Sequence, residues 1–126
     1  MPRKILIAWH DSREARRAVR DSIPFLQQAD EILLTQVCDE GAKERAKGSV
    51  SDVAQYLSRH RIGASAGIML KASGSVADEL IRVADYETVD LIVAGAYGHS
   101  RLGEWIFGGV TRELLAGSPV CCLFSH

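Results

Sequence analysis

DLIVAGAYGHSRLGEWIFGGVTRE, residues 90–113, decides the fold. Leu91 to Ala94 form an almost unbroken apolar run, the pattern of a parallel strand buried on both faces. Glycines follow at once, at 95, 98, 103, 108 and 109. Val110 and Thr111 then lead into a helical pattern over about 109–115, which Gly117, Ser118 and Pro119 end. Strand, glycine-rich loop and helix in that order make one half of a strand–helix–strand crossover.

The same alternation extends to both ends. KILIAW (4–9), EILLTQV (31–37), ASAGIML (64–70) and PVCCLF (119–124) read as further strands. Between the first two, Ala15, Ala18, Val19, Ser22, Ile23 and Leu26 follow the i, i+3, i+4, i+7 rhythm of a helix. Asp11 or Ser12 can cap it, Glu14 stands at the capping-box position from Asp11, and Pro24 predicts a bend or interruption near the last turn. A second helix is expected from Ser49 to His60 and a third from Ser75 to Tyr86. Each opens on a Ser with an Asp three residues on, Asp52 and Asp78. The charged stretch 39–48 (DEGAKERAKG) reads as a solvated connector or a frayed helix start. Right-handed crossovers then give one domain, 1–126: a doubly wound, five-stranded parallel α/β sheet with helices on both faces.

Composition narrows the function. With 126 residues, 47% of them hydrophobic, the chain can bury a core of its own. A net charge of −1 gives no electrostatic case for duplex nucleic acid or an anionic membrane. No apolar run approaches the ~20 residues of a membrane helix, so a cytoplasmic chain is expected. Cys38, Cys121 and Cys122 form no CxxC, and no histidine pair has metal spacing; small apolar fillers in a reducing compartment is the reading.

In an open doubly wound sheet, ligands bind outside the carboxyl ends of the strands, where the strand order reverses. Two strand ends qualify: Trp9-His10-Asp11-Ser12 and the stretch from Gly95 onward. Glycines let backbone N–H groups approach a ligand, and a helix start offers unpaired N–H donors with partial positive charge. The loop therefore has the makings of a phosphate cradle, to which His99, Ser100, Arg101 and Thr111 can add donors. Neither a Walker A loop nor GxGxxG after the first strand is present.

Gly95, Gly98 and Gly108 also match, without gaps, the pattern Gly, two residues, Gly, nine residues, Gly of the universal stress protein family. KILIAWHDSREARRAV resembles that family's opening, and the resemblance covers the whole chain. It implies a Rossmann-like domain of the adenine nucleotide alpha hydrolase type, for which the strand order 3-2-1-4-5 is expected. It also implies a regulatory ATP pocket. Adenine would lie near Ile7, Ala8, Val37 and Cys38, with the Trp9 backbone within reach of a purine and the His10 ring facing phosphate or stacking. The phosphates would rest on Gly98, His99 and the helix start Gly108, Gly109, Val110 and Thr111, with Gly95 and Arg101 also at the site and Mg²⁺ as a candidate companion. Two positions depart from the pattern. Gly109 stands where Ser or Thr is usual, and His10-Asp11 where Asp-Gly is usual. Members commonly pair through the last strand, here Val120 to Phe124, so a homodimer is expected; an apolar edge strand independently calls for a partner.

Other readings stay beside these. His10 is either a hydrogen-bonded residue at a strand end or a ligand contact; His99 is a ligand contact or a surface residue. Trp9 is a core residue or one whose backbone meets a purine, and the first-helix arginines are a solvated face. Ser12 beside His10 reads as a helix cap rather than a nucleophile, since no GxSxG elbow occurs. Without a Walker lysine or an evident water-activating carboxylate, hydrolysis would be slow at most. The alternative function is a dimerisation module that binds no nucleotide.

Overall fold

The computed structural model describes residues 2–71, 76–95 and 121–125. The elements run β1 (Lys4–Ala8), α1 (Arg13–Gln28), β2 (Glu31–Cys38), a 3₁₀ turn (Glu40–Ala42), α2 (Lys43–Arg59), β3 (Ser65–Leu70), α3 (Val76–Tyr86), β4 (Leu91–Gly95) and β5 (Cys121–Ser125). All pairings are parallel, in the order β3-β2-β1-β4 with β5 alongside β4. This is the expected parallel α/β architecture.

The central strands are apolar because the sheet is covered on both faces. β1 and β4 are apolar through their middle, and Ile5, Leu6, Ile7, Ile92 and Val93 are at most 1% exposed. Burial of each such side chain favours the fold by about 1.5–3 kcal/mol. Alternation along the strands divides the core in two. Ile5, Ile7, Ile32, Leu34, Leu91 and Val93 pack with Ala18, Val19, Leu26, Val50, Val53 and Leu57, so α1 and α2 cover one face. Leu6, Val37 and Ile92 pack with Leu80, Ala84 and Val89, so α3 covers the other.

Two local devices fix the frame. Ser12, extended at φ −150°, accepts the Ala15 backbone N–H at 3.1 Å and is the N-cap of α1. At the amino ends of β1 and β4, the Asp90 carboxylate accepts the backbone N–H groups of Lys4 and Arg3, each at 3.0 Å. Those two bonds, Lys4's first, hold the Asp90 carboxyl below the usual carboxylate range.

Three expectations are corrected. Helix α1 runs through Pro24 to Gln28 and is not interrupted there. Pro24 withholds only its own N–H, and the apolar face through Leu26 keeps the last turn packed. Helix α2 begins at Lys43, six residues before the expected Ser49, so of the two readings of 39–48 the helix start, and not the solvated connector, holds for 43–48. Its first turns are polar because only Ala46 among them faces the core. Ser49 is thus a mid-helix residue and caps nothing. The expected cap Ser75 and the helix over 109–115 lie outside the described residues.

Candidate functional site

The chain leaves β1 for β2 on one side and returns from β3 to β4 on the other, so the order reverses between β1 and β4. The crevice outside their carboxyl ends is where a doubly wound sheet holds a ligand.

β1 ends at Ala8, and the Trp9 backbone N–H still donates to Thr35 O at 2.8 Å, extending the sheet by one residue. Ile7 and Trp9 face the core under α1 and α2, 1% and 6% exposed. The Trp9 indole Nε1–H donates to Ser49 Oγ at 2.8 Å. Both side chains are thereby committed to packing, leaving only their backbone for a ligand at the strand end. Ala8 falls on the opposite face, packed with the Leu6 cluster.

His10 follows, partly buried, with its Nδ1 enclosed and without a hydrogen-bond partner among the described residues. Burial pushes its imidazole below the usual histidine range, and the Asp11 carboxylate only partly opposes this. The ring is therefore neutral at pH 7. Asp11 itself is turned outward, accepting from Arg16 Nη1 at 2.9 Å. Ser12, besides capping α1, has its hydroxyl 3.4 Å from the His10 carbonyl, to which it donates. A hydroxyl so engaged is a cap and not a nucleophile.

Glu14, in the first turn of α1, is 5% exposed. Its Oε1 lies 3.4 Å from Arg13 Nε, while Oε2 is buried with no partner among the described residues. The sequence marked Glu14 only as a capping-box candidate. Its burial follows from the close packing of the start of α1 on the end of β4, where a Cβ on Gly95 would meet Glu14 and Ala15 backbone atoms at 2.5–2.8 Å. Gly95 therefore has a packing role at the mouth of the crevice.

Val37 and Cys38 close the second strand, 8% and 9% exposed. The Cys38 carbonyl accepts the Lys71 N–H at 2.9 Å. Burial pushes the Cys38 thiol up, with Asp39 and Glu40 adding to the effect and Lys43 opposing it, which favours the protonated thiol over the thiolate. The structure thus brings Ala8, His10, Val37, Cys38 and Gly95 to one end of the sheet. Gly98, His99, Arg101, Gly108, Gly109, Val110, Thr111 and Val120 lie outside the described residues. Among the described residues no group of three or more His, Cys, Asp or Glu could hold a metal ion, and no helix is long and apolar enough to cross a membrane.

The family model described as Universal stress protein family matches residues 1–125. Universal stress protein UspA from Lactobacillus plantarum superimposes with a TM-score of 0.80 at 18% identity, over 98% of this chain and 97% of that one. The universal stress protein from Archaeoglobus fulgidus in complex with dAMP gives 0.78 at 13% identity, over 100% and 98%. A universal stress protein in complex with cAMP gives 0.69 at 16%, over 99% and 97%. At these identities the likeness to the solved structures is one of fold. No curated protein matches the chain.

Proposed function

The chain belongs to the universal stress protein family, and from that premise we propose that it is a regulatory module binding an adenine nucleotide at the carboxyl ends of β1, β2 and β4. The observation that carries this reading is the His10 Nδ1, enclosed at the strand end with no partner among the described residues. A buried polar atom without a partner is costly, and a polar ligand in the crevice relieves that cost. Two proteins of the same fold are complexes with dAMP and cAMP, which supports an adenine nucleotide as the ligand class.

In this reading Ala8, Val37 and Cys38 line the base. His10 offers a neutral ring where the family pattern has a carboxylate, removing a negative charge from a site meant for phosphate. Gly98, His99, Arg101 and Gly108 to Thr111 hold the phosphates, with Thr111 supplying the hydroxyl that Gly109 lacks. Mg²⁺, if recruited, would be held mainly by phosphate oxygens. Occupancy biases partner contact by population shift and not by turnover. The fold reading extends to a five-stranded domain of order 3-2-1-4-5 whose edge strand, β5, pairs with a second copy.

Calorimetry with ATP, ADP and AMP, each with and without Mg²⁺, tests this. Saturable heat, lost in a folded Gly98→Val variant, is the expected result. Absence of both heat and thermal shift at millimolar nucleotide would leave the dimerisation module without nucleotide as the function.

A further inference from the structure

A second concavity lies on the sheet face covered by α1 and α2. A cleft of about 850 Å³ opens between α1 and α2, with Trp9 at its inner end. Its size is within the range of small-molecule sites, roughly 300–1,000 Å³.

Its walls are unusually cationic. Arg13, Arg16, Arg17 and Arg20 line it from α1, and Arg45 faces them from α2. The four on α1 recur at i, i+3, i+4 and i+7, one stripe about 10 Å long at 1.5 Å per residue. Three carboxylates, Asp11, Glu44 and Asp52, share the lining with these five guanidinium groups. The cleft is thus a cationic region on a chain whose net charge is −1. Arg16 pairs with Asp11 at 2.9 Å and Arg20 lies 4.0 Å from Asp21, but both pairs are solvent-exposed and correspondingly weak. A guanidinium carries five N–H donors, so one carboxylate contact leaves most of its fork available to a phosphate, sulfonate or carboxylate.

The inner surface is apolar. Val19 and Val53 are 3% and 7% exposed, Tyr56 is half-buried beside them, and the Ser49 bond fixes the Trp9 ring. Gly48 also lines the cleft, and a Cβ built there meets nothing within 4 Å, so at this point α2 presents backbone with free space above it.

We propose that the α1–α2 cleft binds a small organic polyanion with a flat apolar portion, its charges held by the α1 arginine stripe and Arg45 and its ring laid over the backbone at Gly48. This site adjoins the strand-end crevice at Trp9 and Asp11 but is built from the α1 and α2 walls, and it does not rest on the nucleotide reading. Trp9 lies on the sheet face covered by α1 and α2, whereas Ala8 faces the α3 side.

Pyrene-1,3,6,8-tetrasulfonate is a suitable probe, being flat, polyanionic and fluorescent. Titration at low salt is expected to show saturable one-to-one binding. An Arg16→Ala/Arg20→Ala double variant should weaken it about ten-fold or more, as two charge-assisted contacts are lost. Gly48→Phe keeps every charge and fills the free space, and should weaken binding comparably. Arg59→Ala, on α2 but outside the cleft, should leave binding unchanged. Far-UV circular dichroism and the thermal midpoint establish that each variant is folded. The proposal is overturned if binding is not saturable, or if Gly48→Phe binds as the parent does, which would mean diffuse electrostatic attraction. It is equally overturned if Gly98→Val abolishes probe binding while the arginine variant keeps it, which would place the probe in the strand-end crevice.

Discussion

The carbon that Gly95 lacks would stand 2.5 Å from the backbone nitrogen of Ala15 and 2.7 Å from the carbonyl carbon of Glu14. These are backbone atoms, held by the first turn of α1, so no side-chain rotation relieves the clash. Gly95→Ala must therefore push α1 off β4 at the point where the Ser12 cap and the His10 strand end meet. The expected loss is about 1–3 kcal/mol or somewhat more. Urea unfolding checks it; a midpoint equal to that of the parent chain would show that α1 does not lie so close.

That contact also shows what the sequence does and does not reveal. Gly95 stands out as a strand-end glycine, but a glycine at a strand end serves a ligand and a neighbouring helix equally well, and only coordinates separate the two. The parallel sheet was legible because Leu91 to Val93 and Ile5 to Ile7 are apolar on both faces. The start of α2 was not, because Lys43 to Gly48 expose nearly all their side chains and leave little periodic signal. Read as a connector, 43–48 gave Arg45 and Gly48 no wall to belong to, and the α1 arginines looked like a solvated face. His10 was legible as a position and open as a role; the enclosure of its Nδ1 depends on neighbours distant in sequence.

Ser49 illustrates the same shift from local to tertiary cause. Its Oγ accepts the Trp9 indole N–H at 2.8 Å across 40 residues of sequence. Ser49→Ala leaves that donor without its partner in a largely buried place and should cost about 1 kcal/mol. The Trp9→Phe variant removes the donor as well, so Ser49→Ala added to it should cost clearly less than it does alone. A double-mutant cycle by chemical denaturation measures the coupling, and strict additivity would refute it.

Glu79 is buried at 3% exposure on α3, and both its oxygens accept from Arg82 Nη1 at 2.9 Å. Arg82 is itself largely exposed, so the pair is asymmetric. Deleting the exposed partner should hurt because it strands the buried one. Arg82→Ala is expected to lose about 1–3 kcal/mol, far more than an exposed ion pair would, and Arg82→Lys should recover part of it. A loss of only a few tenths in thermal or urea melting would assign Glu79 another partner.

Gly48 lies inside α2 with open space where a Cβ would be. Alanine removes the conformational freedom of glycine at no steric cost, so Gly48→Ala should stabilise the chain by about 0.5–1 kcal/mol. An increase in the thermal midpoint is the readout, and a decrease would mean that the helix is distorted at this residue.

His10 gives the chain a pH dependence whose sign follows from its surroundings. Burial lowers the folded-state value, with Asp11 opposing, while the unfolded chain titrates near the ordinary value of about 6.5. As pH falls through about 6.5, the unfolded state takes up the proton first and stability declines. The decline continues until the folded-state value is reached and then levels off; above about pH 7 it is absent. His10→Asn removes this titration, so its urea midpoint should fall less between about pH 7 and pH 5 than that of the parent chain. Ligand binding supplies a second, independent readout. A phosphate placed near the ring favours the imidazolium, so nucleotide binding below about pH 7 should take up a proton, visible as a dependence of the calorimetric heat on buffer ionisation enthalpy. The same stability slope in both chains would remove His10 as its source, and heat independent of buffer would place the phosphates away from it.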